Sequence, residues 1–248
     1  MLLRTLLCSL LISSVAQARI FDFGKETFAA YFSLSGGKVG MGTKALEDEA
    51  PNTVEFSGDQ AFNYSVEVGF LYSRPIANLR LGVEILKPNS LNTSGTEAGI
   101  NLYDVQSDML VLVPKIVLEW NLRDDRTSRS YIGVGAGLAN LSFKNTYSLT
   151  TDGMARFPGV LDHSLQAKSE TIQYNLVFGH ESHFTDTTTL AFEVGYRRMN
   201  FDQLKYSKET STFSGTHPSG DTLKDLSGAD RKFDLSGAFI SIGFRFFL

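Results

Sequence analysis

The sequence predicts an all-β fold, an eight-stranded antiparallel transmembrane β-barrel with short periplasmic turns and long extracellular loops. Three observations carry this. Apolar residues recur with period two in eight separate segments. The links between those segments alternate strictly between short and long. The large apolar side chains fall on one parity of each segment, whereas Gly, Ser, Asn and charged residues gather on the other.

The segments follow in order. Phe28, Ala30, Phe32 and Leu34 oppose Thr27, Ala29, Tyr31 and Ser33. In Gln60–Tyr72, Phe62, Tyr64, Val66, Val68, Phe70 and Tyr72 oppose a parity holding Asn63, Ser65, Glu67 and Gly69. Leu79, Leu81, Val83 and Ile85 oppose Arg80, Gly82 and Glu84. Leu110, Leu112, Pro114, Ile116, Leu118 and Trp120 oppose Val111, Val113, Lys115, Val117 and Glu119. In the fifth, Ile132, Val134, Ala136 and Leu138 oppose Tyr131, Gly133, Gly135 and Gly137. The sixth sets Ile172, Tyr174, Leu176 and Phe178 against Gln173, Asn175, Val177 and Gly179. The seventh sets Leu190, Phe192, Val194 and Tyr196 against Ala191, Glu193, Gly195 and Arg197. The last sets Ala238, Ile240, Ile242, Phe244, Phe246 and Leu248 against Phe239, Ser241, Gly243, Arg245 and Phe247.

Short links run over Ser73–Asn78, Leu122–Ser130 and Thr185–Thr188; long ones run over Ser35–Asp59, Lys87–Ser107, Asn140–Ser169 and Asp202–Arg231. A membrane barrel requires this sorting, and a soluble sandwich has no reason for it. Because hydrocarbon tolerates neither open edges nor exposed charges, the apolar parity must face lipid and the polar parity the lumen.

Composition alone hides this. With 42% hydrophobic and 20% charged residues among 248, a net charge of -4, 22 Gly and one Cys, the chain is neither collagenous, disordered nor a disulfide-stapled miniprotein. Its mild acidity argues against nucleic acid as a partner, because that role needs a basic surface. A mean hydropathy of -0.07 excludes only a helical membrane protein. Residues 1–18 read as a secretory signal peptide: Arg4 supplies the positive start, Leu6–Val15 the apolar stretch and Ala16-Gln17-Ala18 the cleavage site. Cleavage after Ala18 leaves residues 19–248 as the barrel domain and removes Cys8, and with it thiol catalysis and Cys-based metal sites.

The cleavable signal, the turn Thr185-Asp186-Thr187 leading into Leu190–Arg197, and the closing strand Phe239–Leu248 together resemble the eight-stranded outer-membrane barrels of the OmpA-like superfamily of Gram-negative bacteria. The resemblance spans the whole mature chain but is one of pattern. It implies residence in the cell outer membrane, contact with outer-membrane lipid and lipopolysaccharide, and recognition of the C-terminal strand by the barrel assembly machinery. The family's last residue is usually aromatic, whereas here Leu248 follows Phe246 and Phe247. A peptidoglycan-attaching second domain of the full OmpA kind is not expected.

Eight strands leave a lumen wide enough only for side chains or one small ligand. The inward parity supplies Glu67, Glu84, Glu119 and Glu193 against Arg80, Lys115, Arg197 and Arg245. Isolated ions there would cost several kcal/mol each, so they are expected to pair into an ionic plug, with Gly133, Gly135 and Gly137 making room for long cationic side chains. The same charges could instead line a narrow channel for small solutes.

Other motifs are weaker. Gly133-Val134-Gly135-Ala136-Gly137 has no helix after it and is no phosphate loop. His180 and Ser182 share the lipid face and resemble the base and nucleophile of outer-membrane lipid hydrolases. They lie toward the periplasmic rim, and no Asn or acidic partner is evident beside them. His180 and His183 point to opposite faces and with Glu181 make a poor metal cage; His163 and His217 are lone loop residues. The acidic run Leu46-Glu47-Asp48-Glu49 and the polar stretch Ser214–Asp221 are candidate contact surfaces. The expectation is thus a non-enzymatic barrel without cofactor or metal, serving envelope structure or surface interaction, with channel and lipid hydrolase as alternatives.

Overall fold

The computed structural model describes residues 21–39, 61–224 and 228–248. The signal segment, Cys8 and the Leu46–Glu49 run lie outside the described residues.

The elements are β1 (Phe28–Val39), β2 (Ala61–Tyr72), β3 (Ala77–Pro88), β4 (Leu91–Glu97), β5 (Ile100–Asp124), β6 (Ser128–Leu149), α1 (Thr151–Arg156), β7 (His163–Thr185) and β8 (Thr188–Arg198). Four short pieces follow, β9 (Asn200–Phe201), β10 (Lys205–Tyr206), β11 (Thr210–Thr212) and β12 (Gly215–His217), then β13 (Phe233–Asp234) and β14 (Gly237–Phe247). The strands β1, β2, β3, β5, β6, β7, β8 and β14 pair antiparallel in that order, and β14 returns to β1. Over the described residues, each of the eight predicted segments lies on one strand of this closed ring to within a residue at its ends.

The register fixes the barrel's geometry. Starting at Ser130, the cross-strand partners run His180, Phe192, Ile242, Leu34, Val66, Ile85 and Leu112, then return to β6 at Asn140. The ring therefore closes ten residues further up β6 than it began. For eight strands, that stagger tilts the strands by about 40–45° from the axis.

The barrel has two halves that share strands but not chemistry. Along β5 the outward residues are Leu110, Leu112, Ile116, Leu118 and Trp120 in the half nearer the turns, but Asp104, Gln106 and Asp108 beyond it. The inward residues do the reverse, from Lys115, Val117 and Glu119 to Tyr103, Val105, Met109, Val111 and Val113. The neighbouring strand β6 repeats the exchange: outward Ile132, Val134 and Leu138 give way to Ser142, Lys144 and Thr146, while inward glycines give way to Leu141, Phe143 and Tyr147. The turn half carries an apolar belt and a polar lumen. The loop half is a lobe with a polar exterior and a buried core to which Leu86, Leu165, Phe201, Tyr206, Leu223 and Phe233 also contribute.

Three of the links expected as long loops are largely this lobe. Lys87–Ser107 holds the β4–β5 hairpin, whose two-residue tip, Ala98 (φ 53) and Gly99 (φ 81), has the left-handed geometry that suits a tight hairpin. Asn140–Ser169 is mostly strand, with α1 capped by Thr150, whose Oγ1 accepts from the Gly153 N–H at 3.1 Å. Asp202–Arg231 contains β10, β11 and β12. Outside the membrane, water rather than lipid meets the exterior. Apolar side chains then gain by turning inward, and a search for one continuous apolar parity stops at the changeover.

Candidate functional site

The lumen of the turn half holds a chain of ion pairs. Arg197 Nη1 lies 3.0 Å from Glu84, and Lys115 Nζ bridges Glu84 at 2.9 Å and Glu67 at 2.7 Å. Arg80 connects Glu67 at 3.5 Å, Glu119 at 3.1 Å and Glu193 at 2.6 Å. Arg245 reaches Glu119 and Glu181, each at 2.9 Å, and Arg129 Nη2 closes on Glu181 at 2.7 Å. All eight sequence-predicted charges stand in this one chain. Arg129 and Glu181 join it, giving five carboxylates and five cations. These two lie past the predicted segment ends, although each continues the inward parity by two residues (Tyr131 to Arg129, Gly179 to Glu181), and they pair across β6 and β7.

Neutral side chains donate further hydrogen bonds to these carboxylates. Tyr31 OH donates to Glu67 at 2.6 Å, Ser65 Oγ to Glu84 at 2.6 Å, Tyr131 OH to Glu193 at 2.8 Å and Asn78 Nδ2 to Glu119 at 3.1 Å. Buried ions are tolerated only when paired and hydrogen-bonded in this way.

Of the three glycines expected to make room for long cationic side chains, Gly137 lies against one and the other two do not. A Cβ at Gly137 would meet Lys115 Cβ at 2.7 Å, but one at Gly133 or Gly135 would press on Val117, Val177 or Asn175, not on a guanidinium. Other glycines make room for aromatic rings on the inward parity: Tyr31 lies over Gly69 and Gly82, Tyr131 over Gly179, and Phe239 over Gly195. Each ring in turn lies beneath a cation, with Arg80 5.5 Å from the Tyr31 centroid, Arg245 5.0 Å from Tyr131 and Arg197 4.9 Å from Phe239. The sequence signal was an aromatic standing alone on a Gly- and Ser-rich parity.

Apolar material closes both ends of the chain of charges. At the turn end Phe21, Phe23, Ala29, Leu71 and Phe247 cluster, with the Phe23 ring 4.6 Å below Arg129 and the Phe21 ring 5.3 Å from Phe247. At the other end, the lobe core begins directly above Lys115, at Val113 and Ala139.

His180 faces lipid, with Nε2 3.1 Å from Ser182 Oγ and Nδ1 3.0 Å from Ser130 Oγ. Ser130 is a same-face neighbour that lies on the adjacent strand, β6, outside the sequence around His180. His183 turns the other way and stacks on Phe21 at 5.1 Å. In the lobe, His163 stacks on Tyr147 at 4.8 Å and His217 on Tyr206 at 4.9 Å. Among the described residues, no three His, Cys, Asp or Glu side chains group as a metal site.

A closed, staggered ring of eight strands with an apolar belt around it defines an integral membrane β-barrel of the outer-membrane type. No family model matches the chain, and no curated relative matches it. Among solved structures, it is similar to a major outer membrane protein from Thermus thermophilus (11% identity, TM-score 0.48, 88% of this chain and 100% of that one). It is also similar to the outer membrane protein OprG from Pseudomonas aeruginosa (13%, 0.45, 92% and 99%) and to the outer membrane protease OmpT from Escherichia coli (8%, 0.41, 91% and 97%).

Proposed function

We propose that the chain is a non-enzymatic protein of the Gram-negative outer membrane whose lumen is plugged by charge, and that it serves envelope structure or surface interaction through its outer lobe. One observation carries the reading: the charge-balanced chain from Arg197 to Arg129 lies between two apolar closures, an arrangement that argues against a hydrated route for small solutes. The partners follow from the exterior. The belt suits lipid, and Lys38, Lys87, Lys144, Lys168 and Arg198 are exposed just beyond it on the loop side, where lipopolysaccharide phosphates would lie. Phe246 and Leu248 face outward at the end of the closing strand, where the assembly machinery would read them.

The test is conductance in planar bilayers. The protein should be silent, and discrete current steps that change with Arg80→Ala would replace the plug by the narrow-channel reading.

A further inference from the structure

We infer that Ser130, His180 and Ser182 form a binding site for the ester carbonyl of a glycerophospholipid, one of whose acyl chains lies in the adjoining groove on the barrel's lipid face. These side chains are polar within a belt otherwise built to be apolar. His180 is flanked on its own face by Phe178 along β7 and by Phe192 across on β8. The three sit where β6 leaves its turn: Ser182 is paired with Ser128, the first residue of β6, and Ser130 is paired with His180. That is the water–hydrocarbon boundary on the turn side, the depth of lipid ester groups.

The site lacks one hydrogen-bond acceptor. A neutral imidazole has one N–H and one acceptor nitrogen, and here each nitrogen faces a serine, at 3.0 and 3.1 Å. Whichever tautomer is present, one serine donates to the ring and the other accepts from it, so one hydroxyl hydrogen is left over. At the edge of hydrocarbon an unpaired donor is costly, and a carbonyl oxygen satisfies it.

The groove supplies the rest of the ligand. It starts at His180 and crosses β8, β14 and β1 to β2, with a volume of about 700 Å³ and walls that include Phe178, Phe192, Val194, Ile242, Leu34 and Phe62. Four strand spacings make it about 19 Å long. It also climbs away from the turns, because the ring staggers upward from His180 through Ile242 to Leu34. One leaflet's hydrocarbon is about 15 Å deep, so a tilted acyl chain fills a groove of this length.

The probe is 1-palmitoyl-2-oleoyl-phosphatidylethanolamine, added to delipidated, folded full-length protein in detergent and followed by native mass spectrometry. Wild type should retain one lipid under activation that strips the others. His180→Leu and the milder Ser130→Ala/Ser182→Ala double variant should retain it at least fivefold less, while keeping the heat-dependent gel shift of a folded barrel. The dialkyl ether analogue, which has no ester carbonyl, should behave on wild type as the ester lipid does on the variants. Equal retention by wild type and both variants would overturn the site, and equal retention of ester and ether lipids would overturn carbonyl recognition.

Discussion

The two halves of the barrel's interior solve one problem with opposite chemistry. In the turn half the inside is ionic, because the outside is already as apolar as any core. Apolar burial there gains nothing over lipid contact, so packing falls to hydrogen bonds, ion pairs and aromatic rings over glycines. In the lobe the outside is water, so Val105, Val111, Leu141 and Phe143 turn inward and the ordinary hydrophobic drive returns. Both interiors are filled by buried side chains. The comparison teaches that strand parity decides which face a residue occupies, while the medium outside decides which chemistry that face must carry.

The sharpest way to break the comparison is to remove one ion from the polar half. Arg245→Ala leaves Glu119 and Glu181 each short of a buried partner and should lower stability by about 3–5 kcal/mol, read as a drop in the urea midpoint of the folded gel band. A cut in the apolar half should act locally. Leu141→Ala should cost about 2–5 kcal/mol, seen as faster amide exchange over Met109–Val113 and Tyr147–Leu149 with the barrel's heat-dependent mobility retained. Smaller still, Ser65→Ala removes the 2.6 Å hydrogen bond to Glu84 and should cost about 1.5–3 kcal/mol in the same urea assay.

The two halves should also differ in their response to mild acid. Burial against Tyr147 and Phe213 holds the His163 imidazole below its ordinary 6.5, against the hydrogen bond from its Nδ1–H to the Leu161 carbonyl, which pulls the other way. A group whose pKa falls on folding contributes stability above its unfolded value and loses it as pH drops through and below 6.5. Lobe protection should therefore decline between pH 7 and 5, and His163→Phe should flatten that slope. A slope unchanged by the substitution would show that His163 does not set it.

How much of this was legible follows the same division. Lipid imposes a strict alternation, so Phe62–Tyr72 and Leu110–Trp120 announced their strands and placed Glu67, Lys115 and Glu119 inside. The lobe was hidden because its alternation is inverted. Leu141, Phe143 and Tyr147 continue the parity of Gly133–Gly137, so they read as loop once the outward residues turned polar at Asn140. Arg129 and Glu181 were lost to segment ends drawn at the last outward apolar residue. Tyr31 and Phe239 were hidden for a further reason, because an aromatic on a polar parity has meaning only beside the glycine it covers, which lies on another strand.

The central claim is that the lumen is dry along its length, and thiol accessibility tests it most directly. Ser65→Cys sits beside Glu84 within the charge chain, Ala139→Cys sits at the changeover between the two interiors, and Ser142→Cys faces water on the lobe's exterior. A charged methanethiosulfonate added to the folded protein should label Ser142→Cys rapidly and leave the other two unlabelled until unfolding. Labelling of both Ser65→Cys and Ala139→Cys at the rate of the exposed position would mean continuous water through the barrel, and would contradict the plug.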